Sequence, residues 1–129
     1  MKKVSILIPA YNEQESLPLL YDKLTEVVGG LPQYEWEFMF VNDGSRDRTL
    51  EMLQELRAKD TRVNYVDLSR NFGKEVAMLA GFDYVSGDCV VIMDADLQDP
   101  PSLLPLMLSK WEEGYEDVYA QRKSRGEES

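Results

Sequence analysis

The sequence predicts an α/β fold built on a mostly parallel sheet with helices on both faces. Short apolar runs alternate along the chain with segments whose apolar residues recur every three or four positions, which is typical of repeated strand–helix units. A chain of 129 residues suits one domain or part of one, and its hydrophobic fraction of 43% suffices for a core. A polar cluster follows each of the first four apolar runs, so we expect function at the carboxyl edge of the sheet.

The strands are predicted from the apolar runs in chain order. The first covers residues 4–8, the second 38–41, the third 63–68 with alternating polarity, and the fourth 89–93. Residues 117–120 are a candidate fifth strand. Right-handed crossovers between parallel strands follow as the default.

The helices are predicted from apolar residues at helical spacing. Such spacing covers residues 17–28, where a pair of glycines ends the first helix, and shorter patterns cover 50–56 and 76–84. A fourth helix begins near Pro101 and ends at Gly114.

Polar clusters follow the four predicted strands at residues 9–13, 42–45, 69–75 and 94–99. Any single cluster could be turn chemistry. Because parallel strands place their carboxyl ends at one edge of the sheet, however, the four clusters should meet on one rim and form a ligand cleft. The order of elements alone fits many functions, so the function has to be argued from this rim.

Asp94 and Asp96 are the candidate metal ligands. They come directly after a buried apolar run, and oxygen ligands at such a strand end suit Mg²⁺ or Mn²⁺, which can hold a substrate diphosphate. The competing interpretation is that both residues only form a turn and cap a helix, because Asp is common in such places and Asp-x-Asp is a weak motif by itself.

Further residues of the rim suit a nucleoside diphosphate. Asp43 could accept a hydrogen bond from an imide N–H of a base, or it could only shape the turn at Asp-Gly. Lys74 could reach a phosphate or be a solvated surface lysine, and Tyr11 could stack on a ligand or simply pack. Gly44 and Gly73 can supply positive φ or allow a ligand to approach the backbone.

Arg122, Lys123 and Arg125 form the dense basic group of an otherwise acidic chain. Such a group favours anions, either a substrate phosphate or a membrane surface, and the alternative is a solubilising tail. The net charge of −10 argues against a nucleic-acid surface, because no basic stripe could displace counterions.

The remaining composition excludes several classes of site. The chain has no histidine, which rules out histidine triads and His-rich zinc sites. Its single cysteine, Cys89, cannot form an internal disulfide and indicates a buried thiol in a reducing compartment. No segment of the sequence approaches the ~20 apolar residues of a membrane helix.

The four clusters, read in order as PAYNE, VNDGS, RNFGK and DADLQDPP, resemble the family 2 glycosyltransferases. The most similar branch loads sugars onto polyprenyl phosphate and includes dolichol-phosphate mannose synthases and bactoprenol glucosyltransferases. The resemblance extends over essentially the whole chain. It implies a GT-A fold, a nucleotide-sugar donor with UDP-sugar favoured, a polyprenyl phosphate acceptor, an inverting transfer, and Mg²⁺ or Mn²⁺ as cofactor.

The resemblance also implies roles for individual residues. Those on the donor side are Pro9, Tyr11, Asn12, Glu13, Asp43, Lys74 and Asp94. The metal would be held by Asp94, Asp96 and Gln98, and the catalytic group would consist of Asp96, Arg122 and Arg125. Asn42 departs from the Asp more usual at that position, which puts the donor preference in doubt if that position contacts the base, whereas a polar role in the turn would tolerate Asn.

Members of this family carry further segments that have no counterpart in the 129 residues. These are a later Asp that acts as base, an acceptor-side segment, and C-terminal membrane helices in the bacterial branch. We therefore expect residues 1–129 to be the donor-binding part of a longer enzyme on the cytoplasmic side of the cell membrane, without full activity alone. Homo-oligomerisation is left open.

Two other classes of protein place acidic residues at strand ends. A phosphatase of the Asp-x-Asp kind would use Asp94 as nucleophile, but it leaves the clusters after the first two strands unexplained. A non-enzymatic receiver domain has an acidic pair after its first strand, where this chain has Glu13 and Glu15.

Overall fold

The computed structural model describes residues 1–96 and 100–114 and contains a sheet of four parallel strands. The strands are β1 (Lys3–Ala10), β2 (Glu35–Asn42), β3 (Val63–Asp67) and β4 (Cys89–Ile92). Their order across the sheet is β3-β2-β1-β4, and each neighbouring pair is parallel. The predicted parallel sheet is confirmed, whereas the candidate fifth strand at 117–120 lies outside the described residues.

The four predicted helices are also present. They are α1 (Leu17–Gly29), α2 (Thr49–Lys59), α3 (Lys74–Phe82) and α4 (Leu104–Glu112), and a 3-10 turn at Pro101–Leu103 leads into α4. Both faces of the sheet carry helices, with α1, α2 and α4 on one face and α3 on the other. Within the described part of the chain, no helix has the length and apolar character needed to cross a membrane.

The larger core lies between the sheet and α1, α2 and α4. Side chains alternate along a strand, so every second residue of β1 and β2 faces these helices. Fully buried members of this core include Val4, Ile6, Ile8, Leu17, Leu24, Phe38, Phe40, Leu53 and Leu104. This packing fixes the position of the strands relative to the helices, and therefore the position of the rim at their carboxyl ends.

The smaller core lies under α3 and depends on close packing. Leu7, Met39 and Val41 from the sheet contact Ala77 of the helix. Gly81 has no room for a side chain, because a Cβ there would lie 2.2 Å from Leu7 Cδ1. The glycine therefore lets α3 approach the sheet, and the start of α3 is thereby held at the carboxyl edge.

The beginning of β2 was missed by the sequence prediction. The strand starts at Glu35 rather than at residue 38, because Trp36 and Glu37 are both buried. The indole Nε1 of Trp36 donates to the carbonyl of Leu31 at 3.2 Å. Glu35 and Glu37 interrupt the apolar pattern at the start of β2, and a buried strand is recognised by that pattern.

Buried Glu37 organises the segment that leads into β4. Its carboxylate accepts hydrogen bonds from Ser5 Oγ at 2.7 Å, from the backbone N–H of Ser86 at 3.0 Å and from Asn64 Nδ2 at 3.2 Å. These bonds join three strands to the turn before β4. They compensate the cost of burying the carboxylate, which would otherwise be several kcal/mol.

Candidate functional site

A cleft of about 470 Å³ lies at the carboxyl edge of the sheet, where the four polar clusters come together. The cleft is lined by Pro9, Ala10, Tyr11, Glu13, Asp43, Asn71, Gly73, Lys74, Asp94, Ala95 and Asp96. All the site residues predicted from the first 96 positions therefore line it, with the exception of Asn12. This is the position at which open α/β sheets bind their ligands.

Asp43 lies at the base of the cleft and is almost fully buried. Its carboxylate accepts hydrogen bonds from the backbone N–H groups of Phe72 at 2.8 Å and Gly73 at 3.0 Å, and from Asn71 Nδ2 at 3.1 Å. An ionised carboxylate has about four acceptor positions, and the protein uses three of those of Asp43. Asp43 thus shapes the loop and lines the cleft at the same time.

Gly44 brings the loop after β2 against the loop after β3. Its φ is +68°, and a Cβ at this position would lie 2.2 Å from backbone atoms of Arg70 and Asn71. Gly73 has a φ of +104° and immediately precedes α3. Both positions therefore need glycine for conformational reasons, and at Gly44 the close approach of another backbone adds to that need.

Lys74 is the first residue of α3, and its ammonium group forms an ion pair with Asp94 Oδ1. The side chain of Asp94 is 12% exposed, and that of Lys74 is 44% exposed. The lysine is not simply a solvated surface residue, as one interpretation of the sequence had it. It brings a positive charge from α3 to the carboxylate that follows β4.

Glu13 adds a third carboxylate to this side of the cleft. Burial raises the pKa of the Glu13 carboxyl, and the negative charge of Asp96 raises it further; a hydrogen bond from Ser16 opposes the rise, and Asp94 contributes to it. The carboxylates are therefore near enough to repel one another. Such a concentration of negative charge favours a bound cation.

Asn12 does not line the main cleft, although the resemblance placed it on the donor side. Its backbone N–H donates to Ser45 Oγ at 2.9 Å, and its own Oδ1 accepts from the backbone N–H of Arg46 at 2.8 Å. With a φ of +53°, Asn12 turns the chain after β1 and ties this loop to the one after β2. It faces a neighbouring depression of about 360 Å³ that Asp47 and Asp96 also line.

Two asparagines have structural roles that the sequence alone did not identify. Asn71 was part of a recognised cluster without an assigned role, and it holds the loop after β3 to Asp43. Asn42 donates to Asp67 Oδ1 at 2.9 Å and accepts from the backbone N–H of Ser45 at 3.3 Å, which makes it a polar link between β2 and β3. The bond from Ser45 needs only a side-chain oxygen, which Asp would also supply, whereas the bond to Asp67 uses the amide N–H that Asp lacks.

The described residues fit a divalent cation that is shared with a substrate. In residues 1–96 and 100–114 no group of three or more His, Cys, Asp or Glu side chains is arranged to hold a metal by itself. Asp94 and Asp96 nevertheless supply hard oxygen donors, and Mg²⁺ is typically bound by one or two carboxylates together with substrate phosphates. Gln98, Arg122 and Arg125, as well as Lys123, lie outside the described residues.

The chain matches one protein family over most of its length. Residues 5–129 match the family model described as glycosyl transferase family 2. The uncharacterised glycosyltransferase YkcC of Bacillus subtilis is 49% identical over 121 residues, which are 94% of this chain and 37% of that protein. The bactoprenol glucosyl transferase of Shigella phage SfV is 42% identical over 123 residues, 95% of this chain and 40% of that protein. The chain thus spans about two fifths of these relatives.

Solved structures share the fold at lower identity. The mannosyltransferase PcManGT from Pyrobaculum calidifontis, in complex with GDP-Man and Mn²⁺, gives a TM-score of 0.65 at 24% identity over 74% of this chain and 28% of that one. Glucosyl-3-phosphoglycerate synthase from Mycobacterium tuberculosis was solved in complex with Mn²⁺, UDP and glucosyl-3-phosphoglycerate. It gives a TM-score of 0.62 at 24% identity over 85% of this chain and 39% of that one. These similarities establish the GT-A fold.

Proposed function

Because the chain belongs to glycosyl transferase family 2, we propose that its cleft holds the nucleotide-sugar donor of an enzyme that transfers a sugar to a polyprenyl phosphate. The observation that carries the proposal is the meeting of Asp43, Lys74, Asp94 and Asp96 around one cavity at the carboxyl edge of the sheet. The polyprenyl acceptor is supported by the bactoprenol glucosyl transferases among the relatives. The family membership overturns the phosphatase and receiver alternatives.

The two ends of a nucleoside diphosphate match the two sides of the cleft. The remaining acceptor position of Asp43 suits the imide N–H that uracil and guanine both carry, and we propose a UDP-sugar as donor. One solved structure of the same fold holds UDP, and another holds GDP-Man. Pro9 and Tyr11 border the same cavity and would flank the nucleoside, while Asn12 holds the loop that carries them.

The diphosphate would lie between Lys74 and the two aspartates. Asp94 and Asp96, with Gln98, would hold Mg²⁺ or Mn²⁺, and a divalent metal there offsets the charge that develops on the departing diphosphate. Both solved structures named above contain Mn²⁺. Lys74 supplies a monovalent positive charge on the same side, and Glu13 contributes negative charge next to the metal ligands.

The transfer itself would need positioning and electrostatic stabilisation rather than a covalent intermediate. An oxygen of the acceptor phosphate attacks the anomeric carbon in line, the bond to the diphosphate oxygen breaks, and the configuration inverts. A phosphate acceptor is already ionised near neutral pH, so it needs little help from a base. Arg122 and Arg125 are proposed to hold phosphate oxygens, since the guanidinium fork can bind two oxygens at once.

The proposal is tested by binding of the donor nucleotide. We expect UDP to bind the chain in the presence of Mn²⁺, and Asp96→Ala to lose the metal-dependent part of this affinity while the protein remains folded. At one hundred times its Kd, a bound ligand adds about 2.7 kcal/mol to the free energy of unfolding, so a thermal-shift panel of UDP-, GDP- and CMP-sugars with and without Mn²⁺ identifies the base.

A matched variant controls for the loss of negative charge. Asp22 is an exposed residue of α1 that does not line the cleft, so Asp22→Ala should bind UDP and Mn²⁺ as the wild type does. Titration calorimetry compares the three proteins. Unchanged metal dependence in Asp96→Ala would rule out the proposed site.

A further inference from the structure

Lys74 occupies the position of a counterion in the cleft. Its ammonium group contacts Asp94 Oδ1, and of the described residues that line the cavity it is the one with a cationic side chain. Four carboxylates, those of Glu13, Asp43, Asp94 and Asp96, line the same cavity. A largely buried carboxylate such as Asp94 needs a compensating charge, and Lys74 supplies it.

The backbone that carries Lys74 is held by Asp43. The carboxylate of Asp43 binds the N–H groups of Phe72 and Gly73, and Asn71 adds a third hydrogen bond. The backbone N–H of Ala77 then bonds to the carbonyl of Gly73 within the first turn of α3. The main chain at Lys74 is therefore fixed on both sides, so any change in the position of its charge comes from its flexible four-carbon side chain.

A divalent cation held by Asp94 and Asp96 would lie beside the ammonium group of Lys74, and the two positive charges would repel one another. The repulsion favours movement of the lysine side chain away from Asp94, and a displaced ammonium group inside an acidic cleft needs a new anion. The diphosphate of a nucleotide is such an anion. Cation and diphosphate would therefore be accepted together more readily than the cation alone.

We propose that Lys74 is a built-in counterion for Asp94, which keeps free divalent cations out and moves to the diphosphate when a metal–nucleotide complex enters. The cleft would thus select the complex over the free metal. The inference rests on the proposed function for the identity of the ligand, but its first consequence concerns the metal alone.

The test compares Mn²⁺ and UDP binding in Lys74→Met and Lys74→Gln with the wild type. Free Mn²⁺ is measured by electron paramagnetic resonance in the absence of nucleotide, and UDP binding is measured by calorimetry at saturating Mn²⁺. Because the competing charge is removed, we expect both variants to bind Mn²⁺ alone about tenfold more tightly, in the range typical of coupled sites. Because the phosphate contact is lost, both should bind UDP several-fold more weakly.

Lys23→Met is the matched control. Lys23 has a side chain of similar exposure, 47%, and it also forms an ion pair, with Glu26 on the surface of α1. Its removal should change neither affinity. Circular dichroism and thermal unfolding check that each variant is folded, and Lys74→Gln supplies the comparison if Lys74→Met is not.

The opposite signs of the two changes distinguish the proposal from a structural ion pair. Unchanged or weaker Mn²⁺ binding in folded Lys74 variants would overturn it, and weaker UDP binding with unchanged Mn²⁺ binding would reduce Lys74 to a phosphate contact. If the wild type binds Mn²⁺ but no nucleotide, the proposed function fails, while the comparison of Mn²⁺ affinities still decides the role of Lys74.

Discussion

Asp43 shows how one buried carboxylate can serve both the fold and a ligand. Three donors from the loop after β3 bind its oxygens, and the residue still borders the cleft. The two interpretations of this residue, turn former and base contact, are therefore compatible. Only the base contact requires the ligand to carry an imide N–H.

Recognition of a base by Asp43 predicts discrimination against a methylated imide. UDP should bind in the presence of Mn²⁺ more tightly than 3-methyl-UDP, which lacks the imide N–H, by roughly 1–3 kcal/mol. Asp43→Asn replaces one acceptor oxygen by a donor, so the variant should lose this preference. Calorimetry measures the affinities of the wild type and of Asp43→Asn for UDP and for 3-methyl-UDP.

Loop stability provides the control for this prediction. Asn71→Ala removes the two hydrogen bonds from Nδ2 to the carboxylate and the backbone carbonyl of Asp43 but leaves the carboxylate in place, so it should lower the free energy of unfolding by about 1–2 kcal/mol and keep the preference for UDP. Equal binding of UDP and 3-methyl-UDP by the wild type would leave Asp43 as a turn residue only.

At the scale of elements, the cleft depends on how closely α3 packs against the sheet. The helix carries Lys74 at its first turn, and Gly81 near its other end contacts Leu7 and Val41. The contact fixes the helix over β1 and β2. A displacement of α3 would consequently move the lysine away from Asp94.

Gly81→Ala should therefore destabilise the protein by about 1–3 kcal/mol, the usual cost of overpacking a core. Its Cβ would lie 2.2 Å from Leu7 Cδ1 and 2.9 Å from Val41 Cγ2, so these side chains have to shift. Gly29→Ala in α1 is the matched change, because a Cβ there meets nothing within 4 Å and alanine favours the helix. Urea unfolding of both variants should give changes of opposite sign, and equal changes would contradict the packing argument.

The protein as a whole is acidic, with a net charge of −10, and the carboxylate of Asp60 is held by several hydrogen bonds that link distant parts of the chain. Asp60 follows α2 and accepts hydrogen bonds from the guanidinium group of Arg62, at 3.0 and 2.9 Å, and from Tyr21 Oη at 2.6 Å. The group joins α1, α2 and β3. Hydrogen bonds from Arg62 lower the pKa of Asp60 from 3.8 to about 2, although burial opposes the shift.

This pairing predicts how stability responds to acid. Because the pKa of Asp60 is lower in the folded state, its stabilisation is present above pH 3.8 and is lost as the pH falls towards 2. Asp60→Asn should cost about 1–2 kcal/mol at pH 7, a value reduced from the full shift by solvent screening, and the difference from the wild type should shrink towards pH 2.

Urea unfolding of both proteins at several pH values measures this difference. Protonation of the other carboxylates also relieves repulsion in the acidic chain, but this contribution is common to both proteins and cancels. Arg62→Gln removes the guanidinium partner of Asp60, so its free energy of unfolding should also approach that of the wild type as the pH falls towards 2. A constant difference between wild type and Asp60→Asn from pH 7 to pH 2 would contradict the assignment.

The order of the strands and helices along the chain, and the polar clusters that follow the strands, could be predicted from the sequence. Apolar runs mark buried parallel strands because such strands are covered on both faces, and helical spacing marks the elements between them. Polar residues after each run then had to meet at one edge. The parallel sheet, its four helices and the resemblance to family 2 glycosyltransferases were accessible in this way.

The contacts between residues of the rim could not be predicted from the sequence, because they depend on how the strands and loops are arranged in the fold. Three pairs of contacting residues are separated by 20 to 34 positions, and each pair joins segments that follow two different strands: Asp43 and Gly73, Lys74 and Asp94, and Asn12 and Arg46. Their contacts depend on the strand order β3-β2-β1-β4 and on the path of each loop. Local sequence preferences carry no information about the strand order or the loop paths, so the ion pair between Lys74 and Asp94 and the linking role of Asn12 could be seen only in the folded chain.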